Sequence, residues 1–366
     1  MPRMQLNDVT LREGDQMPGR AFTADQKVRA ARRLDELGVP FIQPAFPITG
    51  EKDRSVVSEL AGTTDADIVA LARAVTGDID VSLDAGADVV EVFVSVSDRH
   101  LEHLLGKSRP EMLAMLTNAV DHVVDHGGTP HVTLADAFRT DHADLVDVFE
   151  SLPNVPMVTL ADSVGVRTPA SVQTFLEALR EDVDLGRVGV HFHDDLGCGT
   201  ANVLAAYHLG VAKADVSVGG LGERAGNSSL EEVVAACTVD DDDTLGVDVG
   251  ELIPVCRDVL DELGESYGER KAVLGSAIAE HESGIHTAAM LSDPATLEPF
   301  DPATFGGGRR LVFGKPTGKG GARKLLQRAG VDADDETVAA FLDLLDDRGP
   351  LHLADAVALA EREFGS

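Results

Sequence analysis

Short runs of β-branched and apolar residues recur along the chain, each followed by a stretch whose apolar positions return every three or four residues. The runs predict eight strands, at residues 4–10, 41–45, 68–71, 89–94, 131–134, 157–161, 188–193 and 215–218. Helical spacing is clearest over 24–37, 110–126, 169–179 and 200–209. Eight such units finish near Cys237, in keeping with the ~250 residues a β/α barrel uses. A doubly wound sheet would place a Gly-rich nucleotide loop after its first strand, where this chain reads Leu11-Arg12-Glu13-Gly14-Asp15-Gln16. The pattern therefore predicts an α/β fold, a TIM (β/α)8 barrel followed by a small, mostly helical C-terminal appendage. We divide it as a catalytic barrel domain over 1–270 and helical subdomains over 271–366. Beyond Cys237 come an acidic loop, two helical stretches, a Gly-rich segment from Gly306 to Gly321 and three short amphipathic helices.

Composition narrows the function classes. Hydrophobic residues make up 43% of the 366 positions, yet no apolar run approaches the ~18 residues of a membrane span. The opening Met1-Pro2-Arg3-Met4 lacks the apolar stretch of a signal peptide, so a cytoplasmic location is expected. Cys198, Cys237 and Cys256 are widely spaced and form no CxxC pair, which predicts reduced thiols. A formal net charge of −32 repels nucleic acid and anionic membranes, leaving small molecules as the expected partners. The acidic residues run along the whole chain, which we read as adaptation to a high-salt cytoplasm, where the Debye length shrinks to ~3 Å and self-repulsion is screened.

Barrel enzymes carry their chemistry at the C-terminal ends of the strands. The first strand runs into Asp8-Val9-Thr10-Leu11-Arg12-Glu13, an acid and a guanidinium at the mouth. The seventh ends in His191-Phe192-His193-Asp194-Asp195, and residues two apart on a strand point to one side. Two imidazoles and a carboxylate meeting there could hold a divalent metal with positions left open for substrate. Alone, the two histidines favour a plainer reading, polar residues at a strand end bonded to Asp194 or Asp195. The loop after strand eight, Gly219-Gly220-Leu221-Gly222-Glu223-Arg224-Ala225-Gly226-Asn227, reaches the same mouth.

Together the first strand, the His-x-His strand and this loop resemble the DRE-TIM metallolyase superfamily, in its branch of Claisen-condensing acyltransferases such as homocitrate, isopropylmalate and citramalate synthases. Supporting stretches are Ser97-Asp98-Arg99-His100-Leu101, Ala161-Asp162-Ser163-Val164-Gly165 and Ser283-Gly284-Ile285-His286. The resemblance implies that Glu13, His191 and His193 ligate zinc, manganese, magnesium or cobalt, with Asn227 completing or bracing the sphere. It implies acetyl-CoA as co-substrate, a 2-oxo acid bound to the metal, and Arg12 stabilising enolate charge. Gln16 would orient substrate, Ser163 would donate to its carboxylate, and His286 would take part in proton transfer. His131 and the region of Phe46 are where oxo-acid choice is expected to show. A homodimer with the appended region of one subunit reaching the other's barrel is also implied.

The chain departs from that family at Ala135, which stands where relatives carry the Glu of a Glu-Asp pair, leaving Asp136 or His286 to move the proton. It ends without the regulatory domain of amino-acid-inhibited members, a short form similar to homocitrate synthases of the nitrogen-fixation type. The alternatives are a hydroxymethylglutaryl-CoA lyase type of carbon–carbon lyase, and a catalytically impaired homologue that binds metal and oxo acid. The lyase loop carries a cysteine, and none lies between Gly219 and Asn227.

Overall fold

Parallel pairing of each apolar run with the next closes the barrel in the computed structural model, which describes residues 4–365. The strands are β1 (Gln5–Asp8), β2 (Phe41–Ala45), β3 (Asp67–Arg73), β4 (Val89–Ser95), β5 (Thr129–Ala135), β6 (Met157–Asp162), β7 (Val188–Phe192) and β8 (Lys213–Val216). They pair in chain order, and β1 returns to β8 with Gln5 against Lys213 and Asp8 against Val216. All eight predicted strands are present.

The first strand stops two residues early for a local reason. The Asp8 carboxylate accepts the Thr10 amide at 3.0 Å and the Thr10 hydroxyl at 2.8 Å, an Asx turn that bends the backbone. Residues expected to extend the strand instead open a short helix, α1 (Thr10–Glu13), which carries Arg12 and Glu13. Thr10 also accepts the Val218 amide at 2.8 Å, tying this turn to the end of β8.

The outer helices follow as α2 (Ala24–Leu37), α3 (Glu51–Leu60), α4 (Thr76–Asp84), the single turn α5 (Asp98–His100), α6 (Arg109–Asp125), α7 (His142–Ser151), α8 (Pro169–Leu179), α9 (Gly199–His208), α10 (Leu230–Asp241) and α11 (Leu252–Leu263). Capping boxes start three of them, Thr23 with Gln26 at α2, Ser108 with Glu111 at α6 and Thr168 with Ser171 at α8. Proline in the first turn marks the starts of α6 and α8, where its missing N–H costs nothing.

The barrel interior is divided by polarity. Phe41, Val69 and Val89 close the N-terminal end of the strands as a small apolar cluster. Further along, where most barrels stack branched aliphatics, Asn7, Gln43, Glu91, His131, Thr159, Lys213 and Asp215 are buried instead.

The chain divides into two compact units, the second beginning at Tyr267. In that unit α12 (Gly284–Met290), α13 (Lys319–Arg328), α14 (Asp335–Arg348) and α15 (Leu353–Phe364) accompany a three-stranded sheet absent from the sequence reading. Its strands are β9 (Glu280–His281), β10 (Arg310–Phe313) and β11 (Leu351–His352), with β10 central. Phe313, Leu325, Leu326, Phe341, Leu345 and Leu359 lie in its core. Gly284 packs directly on the Pro316–Gly318 backbone, where a Cβ would stand 2.2 Å from the Pro316 carbonyl oxygen. The two glycine-bearing motifs of the appendage are thus one structure.

Candidate functional site

The Asx turn at Asp8 and the end of β7 bring three ligand-type side chains together. Glu13, His191 and His193 are all buried, and one ligand atom from each lies within 4.8 Å of the others. The two imidazoles approach through their Nε2 atoms at 3.4 Å, and His191 Nε2 stands 3.9 Å from Glu13 Oε1. Two nitrogens ~2.1 Å from one tetrahedral ion would be about 3.4 Å apart. On its other side, His191 Nδ1 lies 3.2 Å from Asp215 Oδ2, a carboxylate that can only accept, so the proton sits on Nδ1 and the Nε2 lone pair faces the cluster.

Charge favours the same state. Burial pushes the Glu13 carboxyl up, but Arg12, His191 and His193 outweigh it and hold it at about 2. Burial, then the neighbouring His191, brings His193 down to about 4. A carboxylate held anionic by Arg12 beside it and an imidazole, His193, that resists protonation are both suited to a cation. His193 Nδ1 and Asn227 Oδ1 are buried with no hydrogen-bond partner among the described residues, and His193 and Asn227 face each other across a backbone bridge. The donor set therefore fits a divalent metal.

Arg12 joins this cluster to a polar circuit inside the barrel. Its Nη1 meets Glu13 at 2.5 Å and its Nε donates to Gln43. Gln43 donates to Glu91, which accepts Lys213 Nζ at 2.7 Å. Lys213 lies 3.4 Å from Asp215, and Asp215 returns to His191. Burial alone would lower the Lys213 ammonium; Asp215 and Glu91 outweigh it and hold the group above its usual range. Glu91, Lys213 and Asp215 are the residues that sequence reasoning missed. Their signal was available, since acids and a lysine interrupt the apolar runs Val89-Val90-Glu91-Val92 and Ala212-Lys213-Ala214-Asp215.

The remaining expected residues fall in different places. His131 stands four residues before the end of β5, its ring edge-on to Phe41 with centroids 5.5 Å apart. Burial, then Lys213, pushes it down to about 4, so it is neutral. His131 Nδ1, Thr133 Oγ1 and Thr159 Oγ1 are buried and find no partner among the described residues, a polar lining on β5 and β6. Ser163 Oγ accepts the Asp136 amide at 2.8 Å, which leaves its hydroxyl proton to donate. Gln16 is exposed at the end of the turn after α1. His286 is exposed on α12 of the second unit.

Asp136 is already engaged. It is 1% exposed and accepts Arg139 through both oxygens at 2.7 Å and Ser97 Oγ at 2.5 Å. The acid beside Ala135 is thus a structural anchor for the loop after β5.

The Gly-rich loop is fastened over the same strand ends. Arg224 donates to both Asp195 oxygens at 2.9 and 3.0 Å and to the Ser163 carbonyl at 2.9 Å. Gly226, at φ 91°, leaves no room for a side chain, since a Cβ would lie 1.9 Å from the Gly220 carbonyl oxygen.

Fold and site together define a (β/α)8-barrel protein with a carboxylate–imidazole cluster where the strands end. The chain belongs to the HMGL-like family, whose model matches residues 3–259. Residues 273–348 match the homocitrate synthase post-HMGL domain-like model. Homocitrate synthase AksA of Methanopyrus kandleri is 40% identical over 342 residues, covering 92% of this chain and 85% of that one. AksA of Methanosarcina acetivorans is 35% identical over 347 residues, 93% and 84% of the two chains. A probable 2-isopropylmalate synthase of M. kandleri is 38% identical over 337 residues, 91% and 67%. The crystal structure of the HMG-CoA lyase of Bacillus subtilis matches with a TM-score of 0.66 at 24% identity, covering 74% of this chain and 98% of that chain, a likeness of fold. The family and the barrel expected from the sequence are borne out.

Proposed function

We propose that this chain is an acyltransferase that joins acetyl-CoA to a 2-oxo acid in a metal-dependent Claisen-type condensation. The observation that carries it is the convergence of Glu13, His191 and His193 beside Arg12, in a chain whose relatives are named homocitrate and isopropylmalate synthases. In the overall reaction the acetyl methyl carbon loses a proton and bonds to the keto carbon. Water then cleaves the thioester and CoA leaves as a free thiol.

Glu13, His191 and His193 would hold zinc, manganese, magnesium or cobalt, with Asn227 as a further oxygen donor. The ion supplies the Lewis acidity that makes the keto carbon electrophilic. Arg12 spends two donors on Glu13 and Gln43, and its remaining N–H groups stabilise enolate charge. Ser163 donates its free hydroxyl proton to the substrate carboxylate, and Gln16 orients the substrate. Neutral His131 and the unpartnered threonine hydroxyls recognise the rest of the oxo acid by hydrogen bonding. With Asp136 engaged and Ala135 inert, His286 is assigned the proton-transfer role.

The reading extends to a cytoplasmic homodimer in which the second unit of one subunit completes the partner's site. Ile285, 83% exposed beside His286, supports a surface awaiting cover. It also includes a salt-requiring fold, for which a net charge of −32 argues; a thermal midpoint unchanged between molar and millimolar salt would remove that part.

The test is release of CoA thiol from acetyl-CoA with added divalent metal at high salt, across pyruvate, 2-oxoisovalerate, 2-oxoglutarate and glyoxylate. Release with one acid, lost in His193→Ala, is the expected result. No release with any acid, from protein that has bound metal, overturns the proposal in favour of a lyase or a binding protein.

A further inference from the structure

A second cluster of metal-ligand type lies on the outer helices. Asp80 on α4 and His122 and His126 at the end of α6 each offer one ligand atom, all within 4.8 Å of one another. His122 and His126 are one helical turn apart and so share a face. Their ring centroids are 4.1 Å apart. His122 Nε2 stands 2.6 Å from Asp80 Oδ1.

The tautomer of His126 is fixed in the way metal-ligating histidines usually show. Its Nδ1 lies 2.8 Å from the His122 carbonyl oxygen, which can only accept, so Nδ1 carries the proton and Nε2 presents a lone pair. Two imidazoles with one carboxylate suit zinc, nickel or copper, whereas magnesium and calcium prefer all-oxygen shells.

Position separates this cluster from the mouth. Barrel helices run opposite to the strands, so the end of α6 adjoins the start of β5 at Thr129, the face where conserved features read as stability and not catalysis. The Asp80 side chain is 52% exposed and that of His122 22%, which leaves coordination positions to water and lets the ion exchange.

We propose that Asp80, His122 and His126 form a second, exchangeable site for a borderline divalent transition metal that clamps α4 to α6. Binding through His122 Nε2 breaks its hydrogen bond to Asp80, and the ring's single proton moves to Nδ1 by exchange with solvent. The chain's net charge of −32 raises the local concentration of any divalent cation and favours loading.

The test uses full-length protein stripped with chelator, titrated with Zn²⁺ and separately with Mg²⁺, and read by calorimetric stoichiometry and thermal midpoint. We expect two Zn²⁺ equivalents in the wild type. His126→Ala should lose one, its outer-site affinity weakened at least tenfold, with metal-free midpoint and CoA-thiol release unchanged. His193→Ala should keep the outer equivalent. Mg²⁺ should not load the outer site. Zinc stoichiometry and affinity unaltered in both His126→Ala and Asp80→Ala would overturn the outer site, whatever His193→Ala does. Loss in His126→Ala with no loss in His193→Ala would uphold it while removing the assignment at the mouth.

Discussion

The mouth and the outer face of this barrel present the same three ligand types, two imidazoles and a carboxylate, in opposite surroundings. Glu13, His191 and His193 are buried and continued inward by a closed polar circuit. Asp80 and His126 are exposed and His122 is half-buried, supported by a helix backbone. The ligand set alone therefore does not distinguish a reaction centre from a clamp. What differs is the set of buried partners behind the ligands, Arg12 on Glu13 and Asp215 on His191 at the mouth, against a single backbone carbonyl on the outer face.

The largest expected contrast is in turnover. His193→Ala should lower CoA-thiol release at least about a thousandfold, since the Lewis acid's several kcal/mol of stabilisation are lost and each ~1.4 kcal/mol is tenfold. His126→Ala should change it less than about twofold. Equal losses in both variants would collapse the distinction.

Next in size is the effect on stability of cutting the inner circuit. Glu91→Gln leaves the buried Lys213 ammonium with Asp215 alone at 3.4 Å. Breaking such a pair typically costs about 3–5 kcal/mol, readable by denaturant unfolding. His126→Ala, on the surface, should stay within about 0.5 kcal/mol.

The mouth's pH response follows from its depressed groups. The unfolded chain protonates His193 near its ordinary 6.5, whereas the folded site resists until about 4. Metal-free protein should therefore lose the stability that His193 contributes as pH falls from 6.5 to 4. Denaturant unfolding of metal-free wild type and His193→Ala across this range checks it; the same pH dependence in both would contradict the assignment.

Salt should produce the smallest separation. Exposed charges are screened over ~8 Å at physiological ionic strength and ~3 Å at 1 M, buried ones much less. Zinc affinity at the outer site should weaken by more between 0.1 and 1 M salt than affinity at the mouth.

Much of this molecule was legible in its sequence because barrel strands are written as local apolar runs. The eight strands and the His-x-His pair of β7 needed only alternation to be found. The end of β1 was misread because apolar Val9 and Leu11 continue the pattern while the Asp8 side chain bends the backbone. The sheet of the second unit escaped because β9 and β11 are two residues each, too short for any period. Lys213 and Glu91 are 122 positions apart, so their pairing could be seen only as an unexplained charge in each of two apolar runs. The proton bridging His122 and Asp80 was invisible for the same reason, since they lie on separate helices 42 positions apart.

The closed circuit through Glu13, Arg12, Gln43, Glu91, Lys213, Asp215 and His191 constrains how this barrel can diverge. Each member is buried or nearly so and satisfied by its neighbours, so a single replacement strands a charge or an amide. Descendants with a reshaped interior should therefore carry coordinated changes at Glu91 and Lys213, such as loss of both charges together. Glu91→Leu combined with Lys213→Met is accordingly expected to be more stable than Glu91→Leu alone. Mutational routes to a new oxo acid would then begin with the pair, and only afterwards reach the residues that touch the substrate.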